Sequence, residues 1–454
     1  MKWYNVVAIL CTYGFFKEFK PTEPYLTPYL VKSANFSDQQ VYSQIYPVWT
    51  YAYLATLVPV FLLTDLLRYK PVILLESIAY ATTWALLIWG KSVLVMQLMQ
   101  FAYGWATSTE IAYYAYIYAV VEKKHFRQVT SYVRAATQSG KCLAYAMAQV
   151  IISTELGTFD TLNFISFGST VLIFFVALGL PWVGWKTINF SIQSTTSKKM
   201  AEQFPTGESE ETVHSSDVNE KVPTYAEFSR LYFRHLWQNF RAVYSSLFLL
   251  KWSLWWALAT AGFYQVGNYI QTLWEVKQGH TDDRRLYNGI VESVNTFLGA
   301  MTILLIQLVK LQWEKWGELL LAIISVLDLA LLLIISQTNL LMLMYILYII
   351  FRVLYQVAIT VAQYNIAKEL VTQSYGMVFG FNTLIALGLQ TIITILVAQD
   401  NTGFHLNIRS QFVVYGAYHG GIAIIFGTMA AVTLFRYYSL HVPLLDRSKI
   451  KTDT

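Results

Sequence analysis

A glutamate lies among tyrosines in the middle of an apolar stretch, and this arrangement could bind an organic cation. In the segment YGWATSTEIAYYAYIYAVV, Tyr103, Glu110, Tyr113 and Tyr114 occupy positions i, i+7, i+10 and i+11. In a helix these spacings place the four side chains on one face. Each ring face attracts a cation by roughly 0.5–2 kcal/mol, and the carboxylate supplies the opposite charge.

The same glutamate has a second interpretation, in which it pairs with Arg134 or Lys141 of a neighbouring helix and the tyrosines fill the core. Ionisable side chains are costly inside a membrane and usually mark a water-filled path or a charge pair. The other ionisable residues in apolar stretches are therefore candidates for a site: Lys17, Glu18, Lys20, Glu23, Glu292, Asp328 and Arg352.

Aromatic and amide side chains supply further candidates. Tyr46, Trp49 and Tyr53 are spaced as one helical stripe, which indicates either a ligand platform or an aromatic belt at the membrane interface. Asn268 lies at mid-depth in WSLWWALATAGFYQVGNYIQTLW, where its amide could bond a substrate or only a neighbouring helix.

Enzymatic, metal and cofactor chemistry finds no support in the motifs. The seven histidines are scattered, with no pair at ligand spacing, and neither a GxSxG nor a phosphate-binding glycine loop is present. Both cysteines, Cys11 and Cys142, fall inside apolar runs. We expect no enzymatic activity, no metal, no cofactor and no nucleic-acid partner.

The elements that position these residues are membrane spans. Of the 454 residues, 56% are hydrophobic and only 13% are charged, against about 25% charged in soluble proteins. Apolar runs of about 18–20 residues are long enough to cross a bilayer. We predict an all-α membrane protein with about twelve spans, at roughly 5–30, 46–67, 71–89, 94–121, 128–152, 161–182, 251–274, 287–310, 317–336, 340–366, 376–399 and 409–436.

The order of the spans predicts two six-helix bundles of the major facilitator type. These are 1–185 and 246–437, joined by a partly disordered cytosolic loop at 186–245 and followed by a cytosolic tail at 438–454. The loop's later part, YAEFSRLYFRHLWQNFRAVY, indicates either an amphipathic helix on the membrane or a helix packed on the bundle. Lysine and arginine concentrate in the loops on the side of both termini, which places the termini in the cytosol. Asn35, in an Asn-Phe-Ser sequon, is then outside and a candidate for glycosylation.

The charged, proline-rich stretch KEFKPTEPYLTPYL belongs inside the first span. The apolar residues before it, 3–16, would span only about 21 Å as a helix, short of a core of about 30 Å. Pro21, Pro24 and Pro28 should kink this span toward a cavity. Lys20 and Glu23 are spaced i, i+3 and can pair when no substrate is bound.

Several ordered segments together resemble the reduced folate carrier and thiamine transporter family: GFFKEFKPTEPYLTPYL, PVWTYAYL, PVFLLTDLLRYKPV, EIAYYAYIYAVV, YNGIVES and FGFNTLIALGLQTIIT. The resemblance runs from Tyr13 to about Tyr415. It implies a vitamin carrier of the plasma membrane. By motif it implies these substrate contacts: Glu23, Tyr46, Trp49, Glu110, Tyr113, Asn268 and Glu292.

The resemblance also implies which vitamin is carried. Folate carriers have a basic residue in place of Glu110 and a lysine in place of Gln390, so both positions are of the thiamine type. Lys141 stands where thiamine transporters have a tyrosine, and it could pair with Glu110 or meet an anionic substrate. Arg352 matches a basic position of folate carriers. We therefore expect thiamine as substrate, with a reduced folate as the alternative and a non-transporting receptor as the less favoured third.

Overall fold

Long helices make up most of the described chain. The computed structural model describes residues 3–67, 69–121, 125–182, 244–278, 286–306, 313–369, 375–399 and 406–449, with residues 234, 237, 238, 240, 241 and 404. Twelve long helices lie within these ranges: α1 Trp3–Glu18, α2 Tyr46–Leu66, α3 Lys70–Trp89, α4 Val93–Val120, α5 Phe126–Ser153, α6 Phe159–Leu178, α7 Leu247–Gln278, α8 Asn288–Ile306, α9 Trp313–Gln337, α10 Leu341–Glu369, α11 Tyr375–Ile393 and α12 Ile408–Lys449.

Six of these helices are long and apolar enough to cross a membrane by length and composition alone. They are the segments Lys70–Trp89, Phe159–Leu178, Trp316–Gln337, Leu341–Gln363, Gly380–Ala398 and Ile408–Tyr437. Among the remaining helices, α1, α4, α5, α7 and α8 carry many of the polar and ionisable residues singled out above, including Lys17, Glu110, Lys141, Asn268 and Glu292. The polarity that lowers their hydropathy is therefore the polarity that a site inside the protein needs.

The first predicted span is broken where its prolines occur. Helix α1 ends at Glu18, and the chain continues through short helical turns from Glu23 to Ser33. Pro21, Pro24 and Pro28 are all buried, as is Lys20. Since proline cannot donate a backbone hydrogen bond, regular α-helix gives way here to separate turns. The prediction that this charged stretch lies inside the protein is confirmed.

The apolar cores show how helices α1–α6 and helices α7–α12 meet. One core combines residues of both halves, including Tyr29, Tyr46, Tyr269 and Trp274, and lies at the end of the bundle that carries residues 29–46, here called the distal end. Toward the other, proximal end, two further cores each belong to a single half. The described halves are thus closed against each other at the distal end.

Polar contacts across the halves reinforce this distal closure. Gln149 Nε2 of the N-terminal half donates to the carbonyl of Leu286 of the C-terminal half at 2.7 Å, and the Tyr25 hydroxyl donates to Gln149 Oε1 at 2.7 Å from within the same half as Gln149. Lys32 Nζ lies 3.0 Å from Glu275 Oε1. The distal end therefore combines apolar packing with hydrogen bonds and an ion pair that have to break before it can open.

Asn35 also lies at the distal end. Its side chain is exposed, and its backbone has φ 59°, a left-handed conformation that asparagine tolerates better than most residues. The next residue but one, Ser37, caps the short helix Asp38–Gln40. Glycosylation of Asn35 stays a prediction, and its exposure is compatible with it.

The predicted end of the last span differs from the structure, and the predicted central loop falls largely outside the described residues. Helix α12 continues to Lys449, beyond the expected end of the span at 436 and through most of the expected tail. Residues 186–233 of the expected loop lie outside the described residues. In the described part of its later segment, Phe240 packs edge-on to Phe381 at 4.6 Å, and the Tyr244 hydroxyl donates to Asn382. Those contacts favour the helix packed on the bundle.

Helices α1 and α5 approach each other so closely that one position requires glycine. A Cβ added at Gly140 would lie 2.2 Å from the carbonyl oxygen of Phe15, whereas a Cβ at Gly168 would have no neighbour within 4 Å. We expect Gly140→Ala to lower the free energy of unfolding by about 1–3 kcal/mol through overpacking. The measurement is the apparent melting temperature of the purified protein in detergent. Gly168→Ala is the matched control, and an equal effect of both substitutions would contradict the prediction.

Candidate functional site

Glu110 shares a lysine with a second carboxylate. Lys17 Nζ lies 3.3 Å from Glu110 Oε1 and 3.0 Å from Glu76 Oε1, and the Tyr13 hydroxyl donates to Glu76 Oε2 at 2.8 Å. Lys17 and Glu76 are buried, whereas 35% of the Glu110 side chain is exposed. Glu110 is therefore the accessible member of the group, and the buried Glu76 offsets the lysine that would otherwise neutralise it.

The prediction that Glu110 pairs with Arg134 or Lys141 is wrong. Lys141 Nζ lies 3.6 Å from Glu18 Oε2, and Arg134 is exposed without a salt bridge in the described part of the chain. The physical reason is that Lys17 of α1 occupies the position beside the Glu110 carboxylate. A positive charge at position 141 is therefore balanced by Glu18 and leaves Glu110 unaffected.

Tyr113 packs against Lys17 in the group formed by Lys17, Glu76 and Glu110. It is fully buried, and its hydroxyl donates to the carbonyl of Leu10 at 2.7 Å. Lys17 Nζ lies 5.0 Å from the centroid of its ring. In this conformation Tyr113 holds α1 against α4 and stabilises Lys17, so it acts on the site through Lys17. The side chain of Tyr114 lies outside the described part.

Glu23 is the centre of a second group. Its carboxylate pairs with Lys20 at 2.8 Å, as the i, i+3 spacing predicts, and accepts hydrogen bonds from the hydroxyls of Tyr103 and Tyr145. Gln271 of α7 donates to its backbone carbonyl at 2.9 Å. Glu23 is thus held by α4 and α5 of its own half and by a helix of the other half.

The two groups together have a surplus of negative charge. Their ion pairs involve three lysines and four glutamates, so with all of them ionised the net charge is one negative: Lys17, Lys20, Lys141, Glu18, Glu23, Glu76 and Glu110. In a site shielded from bulk solvent such a surplus attracts a cation strongly. The arrangement can therefore bind one organic cation, with Glu110 as the exposed carboxylate.

The aromatic pair Tyr46 and Trp49 lies inside the protein. Tyr46 is 4% exposed, its hydroxyl forms a hydrogen bond with that of Thr27, and its ring packs edge-on to Tyr269 at 6.3 Å. The indole of Trp49 donates to Thr107 Oγ1 at 3.3 Å. For Tyr46 this burial excludes the alternative of a belt at the lipid interface. Trp49 of α2 is half-buried and contacts α4 at Thr107, three residues before Glu110 in the chain.

The C-terminal half contributes an arginine and a carboxylate. Glu292 Oε1 accepts a hydrogen bond from the Tyr348 hydroxyl at 3.1 Å. The guanidinium of Arg352 lies 4.5 Å above the ring of Phe263 and 5.7 Å from the ring of Tyr348. This half is therefore balanced in charge where it faces the site, with a cation held on aromatic rings and a carboxylate beside it.

The last two predicted site residues are the amides Gln390 and Asn268. Gln390 on α11 is fully buried, and neither atom of its amide has a hydrogen-bond partner among the described residues. Asn268 on α7 is half-buried and follows Gly267, where an added Cβ would lie 3.6 Å from the guanidinium of Arg352. Both positions lie in helices that face the other half.

Family membership follows from a match over most of the chain. A family described as reduced folate carrier matches residues 1–414. The chain belongs to the reduced folate carrier family. Relatives of this family member at about 40% identity carry two kinds of name, and their alignments span nearly the whole chain.

Folate transporter 1 of Caenorhabditis elegans is 41% identical over 96% of this chain and 94% of that protein. Thiamine transporter 1 of Mus musculus is 40% identical over 96% of this chain and 91% of its own length. Human thiamine transporter 1 is 39% identical over the same shares. The relatives thus establish a carrier, and they name folate and thiamine about equally.

Solved structures agree on the fold. The nucleoside transporter NupG superposes with a TM-score of 0.61 at 14% identity, covering 94% of this chain and 99% of that one. A POT family transporter superposes with a TM-score of 0.63 at 10% identity, covering 94% and 96%. The predicted fold is confirmed: this reduced folate carrier family member is a multi-pass membrane protein of the major facilitator type and a transporter, not an enzyme.

Sequence reasoning about this family member named Lys17 as a candidate but did not connect it to Glu76 or Glu110, and it did not name Tyr145. Lys17 and Glu76 were visible as charges near apolar stretches, but no spacing links them to Glu110 across three helices. Tyr145 lies one turn after Lys141, so its position on the same face of α5 was the available signal. Its bond to Glu23 depends on how α5 is rotated against the broken end of α1.

Proposed function

We propose that this chain moves thiamine across the plasma membrane by alternating access, with both termini in the cytosol. The observation that carries the proposal is the exposed Glu110 carboxylate in a group of ion pairs with one surplus negative charge. Thiamine carries a thiazolium cation, which such a carboxylate attracts, whereas a folate carries carboxylates that it repels.

The remaining contacts have roles that suit the same molecule. The Glu23 carboxylate accepts hydrogen bonds from the aminopyrimidine. To do so it gives up some of its present contacts with Lys20, Tyr103 and Tyr145. Tyr46 and Trp49 offer ring faces for stacking. Glu292 and Asn268 approach from the C-terminal half, so that a bound vitamin would touch both halves, with Tyr113 steadying Lys17 beneath Glu110. A ligand held between the halves is what alternating access requires.

The alternative substrate is a reduced folate, and one observation favours it. The Arg352 guanidinium lies on aromatic rings beside the site, where it could meet a carboxylate. Against it, Lys141 is paired with Glu18, and the Gln390 amide is neutral. The positive charge of Arg352 is then outweighed by the Glu292 carboxylate beside it together with the surplus negative charge of the groups around Glu110.

The two halves, 1–185 and 246–437, serve as the moving units in this proposal, with 186–245 as their link and 438–454 as the tail. Closure at the distal end corresponds to the state in which the site is reached from the proximal side. The 35% exposure of Glu110 and the 31% exposure of Lys141 support such access. With cytosolic termini, this state is inward-facing.

Side-by-side uptake of radiolabelled thiamine and a reduced folate tests the substrate. Cells expressing the full chain should show saturable thiamine uptake, favoured over the folate by about tenfold or more, which corresponds to one strong charge contact. Lys141→Tyr should not reduce thiamine uptake, since Lys141 pairs with Glu18 and not with Glu110, and its removal only adds to the surplus negative charge. Folate uptake that exceeds thiamine uptake and falls on Lys141→Tyr would establish the alternative. Ligand binding without flux in vesicles would indicate a receptor instead.

A further inference from the structure

A pair of titratable side chains lies buried in the C-terminal half, away from the charged groups around Glu110. Asp328 on α9 and His419 on α12 approach with Oδ2 and Nδ1 3.5 Å apart, and their side chains are 6% and 2% exposed. Ionisable residues at such depth in a membrane protein are expensive and usually have a function. The substrate site makes no use of either residue.

Their polar atoms are incompletely bonded. Asp328 Oδ1 and both nitrogens of His419 have no hydrogen-bond partner among the described residues. Around them lie the edge-on ring of Phe351 at 5.6 Å and that of Tyr418 at 5.9 Å. A buried polar pair with spare bonding capacity and apolar surroundings is not explained by stability alone.

The other titratable groups on the surrounding helices form hydrogen bonds or ion pairs with residues other than Asp328 and His419. Tyr418 donates to the carbonyl of Leu258, Tyr415 is bonded to Gln411 and Gln265, Tyr355 to Thr260, Tyr348 to Glu292, and Glu318 on α9 pairs with Lys251. Arg352 lies over the ring of Phe263. Within the described residues, the net charge of the pair is therefore set by its own protons.

We propose that Asp328 and His419 form a proton-binding site that couples proton movement to the transport cycle. Without a bound proton the pair carries one negative charge in an apolar environment. With one proton it is either an ion pair or two neutral groups, and both are better tolerated when the site is closed to water. The step is a simple protonation, in which an O–H or N–H bond forms and water supplies or accepts the proton.

The coupling route runs through α7. A Cβ at Gly262 would lie 2.6 Å from His419 Nε2, so the α7 backbone rests directly on the imidazole. The next residue, Phe263, stacks on Phe351 with centroids 6.4 Å apart and lies under Arg352. A shift of the imidazole on protonation would therefore move α7 at the point where it supports the arginine beside the substrate site.

Vesicles that contain the full chain and an entrapped pH-sensitive dye test this inference. The vitamin is whichever of thiamine or reduced folate the wild-type protein moves, so failure of the proton site is separable from failure of the thiamine proposal. In the wild type, adding vitamin should change the lumenal pH. A one-unit pH gradient should alter the initial uptake rate by up to about tenfold, the driving force that one coupled proton supplies.

Asp328→Asn and His419→Gln are each expected to reduce both signals to near background. The control is Ser325→Ala, one turn earlier on α9, where the hydroxyl donates to the carbonyl of Leu321 within the same helix; it should keep the wild-type coupling. Thermal unfolding shows whether each variant has folded. If one of the two variants has not folded, the proton coupling of the other tests the proposal. Vitamin transport by the wild type without proton movement would overturn the proposal, as would full coupling in a folded variant.

Discussion

Glu110→Gln is expected to lower kcat/KM for thiamine uptake by about 10- to 100-fold, because a charge contact to the substrate is worth about 1.5–3 kcal/mol. Glutamine keeps the size and the hydrogen-bonding capacity of the side chain, and removes only the charge. Lys17 stays paired with Glu76 at 3.0 Å in the variant, so the buried lysine remains compensated and the protein should fold. The loss should therefore appear as reduced uptake at normal surface expression.

The measurement is initial thiamine uptake against concentration, with surface expression measured in the same cells. Glu155→Gln is the matched control, since Glu155 is exposed and lies outside the charged groups. Folate uptake, if any is present, should be unchanged or improved, because a repelling charge is removed. Normal thiamine kinetics in Glu110→Gln would contradict the assignment of Glu110 as the cation-binding carboxylate.

Ser293→Cys is expected to produce a protein that oxidation switches off and reduction restores. The thiol of Cys142 on α5 lies 3.3 Å from Ser293 Oγ on α8, and the Ser293 hydroxyl donates to the carbonyl of Cys142 at 3.2 Å. A cysteine at position 293 would bring a second thiol beside that of Cys142, which is the proximity that a disulfide first requires. Because α5 and α8 belong to different halves, the bond would hold the halves in one arrangement.

Uptake after treatment with a mild oxidant should fall to below about a tenth of the untreated rate, since cross-linked halves cannot alternate. A thiol reductant should restore it. Ser293→Ala, and the combination Cys142→Ser with Ser293→Cys, should be insensitive to oxidation and also report any effect of Cys11. Full transport by a protein shown to be cross-linked would mean that α5 and α8 do not move apart during the cycle.

The conformation of the helices explains why some expectations about the site were accurate and others were not. The ion pair of Lys20 with Glu23 was predicted because it depends on spacing within one stretch of chain. The partner of Glu110 was mispredicted because three basic residues, Lys17, Arg134 and Lys141, were available in neighbouring helices. Choosing among them requires the rotation of α1 and α5 about their axes, which spacing along the chain does not contain.

The partner of each helix face inside the bundle is a second property that helical periodicity could not predict. Tyr103 and Tyr113 share a helix face by spacing, yet one bonds Glu23 and the other the backbone of α1. Likewise Asp328 and His419 are far apart in sequence and meet only because α9 packs along α12. The face of a helix is a local property, whereas what lies against that face is a property of the whole bundle.

The amino-acid sequence by itself determined the class of the protein: the number of long apolar segments, the carrier family and a carboxylate suited to a cation. These follow from hydropathy, helical spacing and motif order, which are all read along the chain. Only the tertiary structure decided that Lys17 is shared between Glu76 and Glu110, that Glu18 offsets Lys141, and that the halves close at the distal end. These features depend on distances of a few ångströms between helices, and in a membrane interior such distances decide which charges are compensated and which are left to bind a substrate.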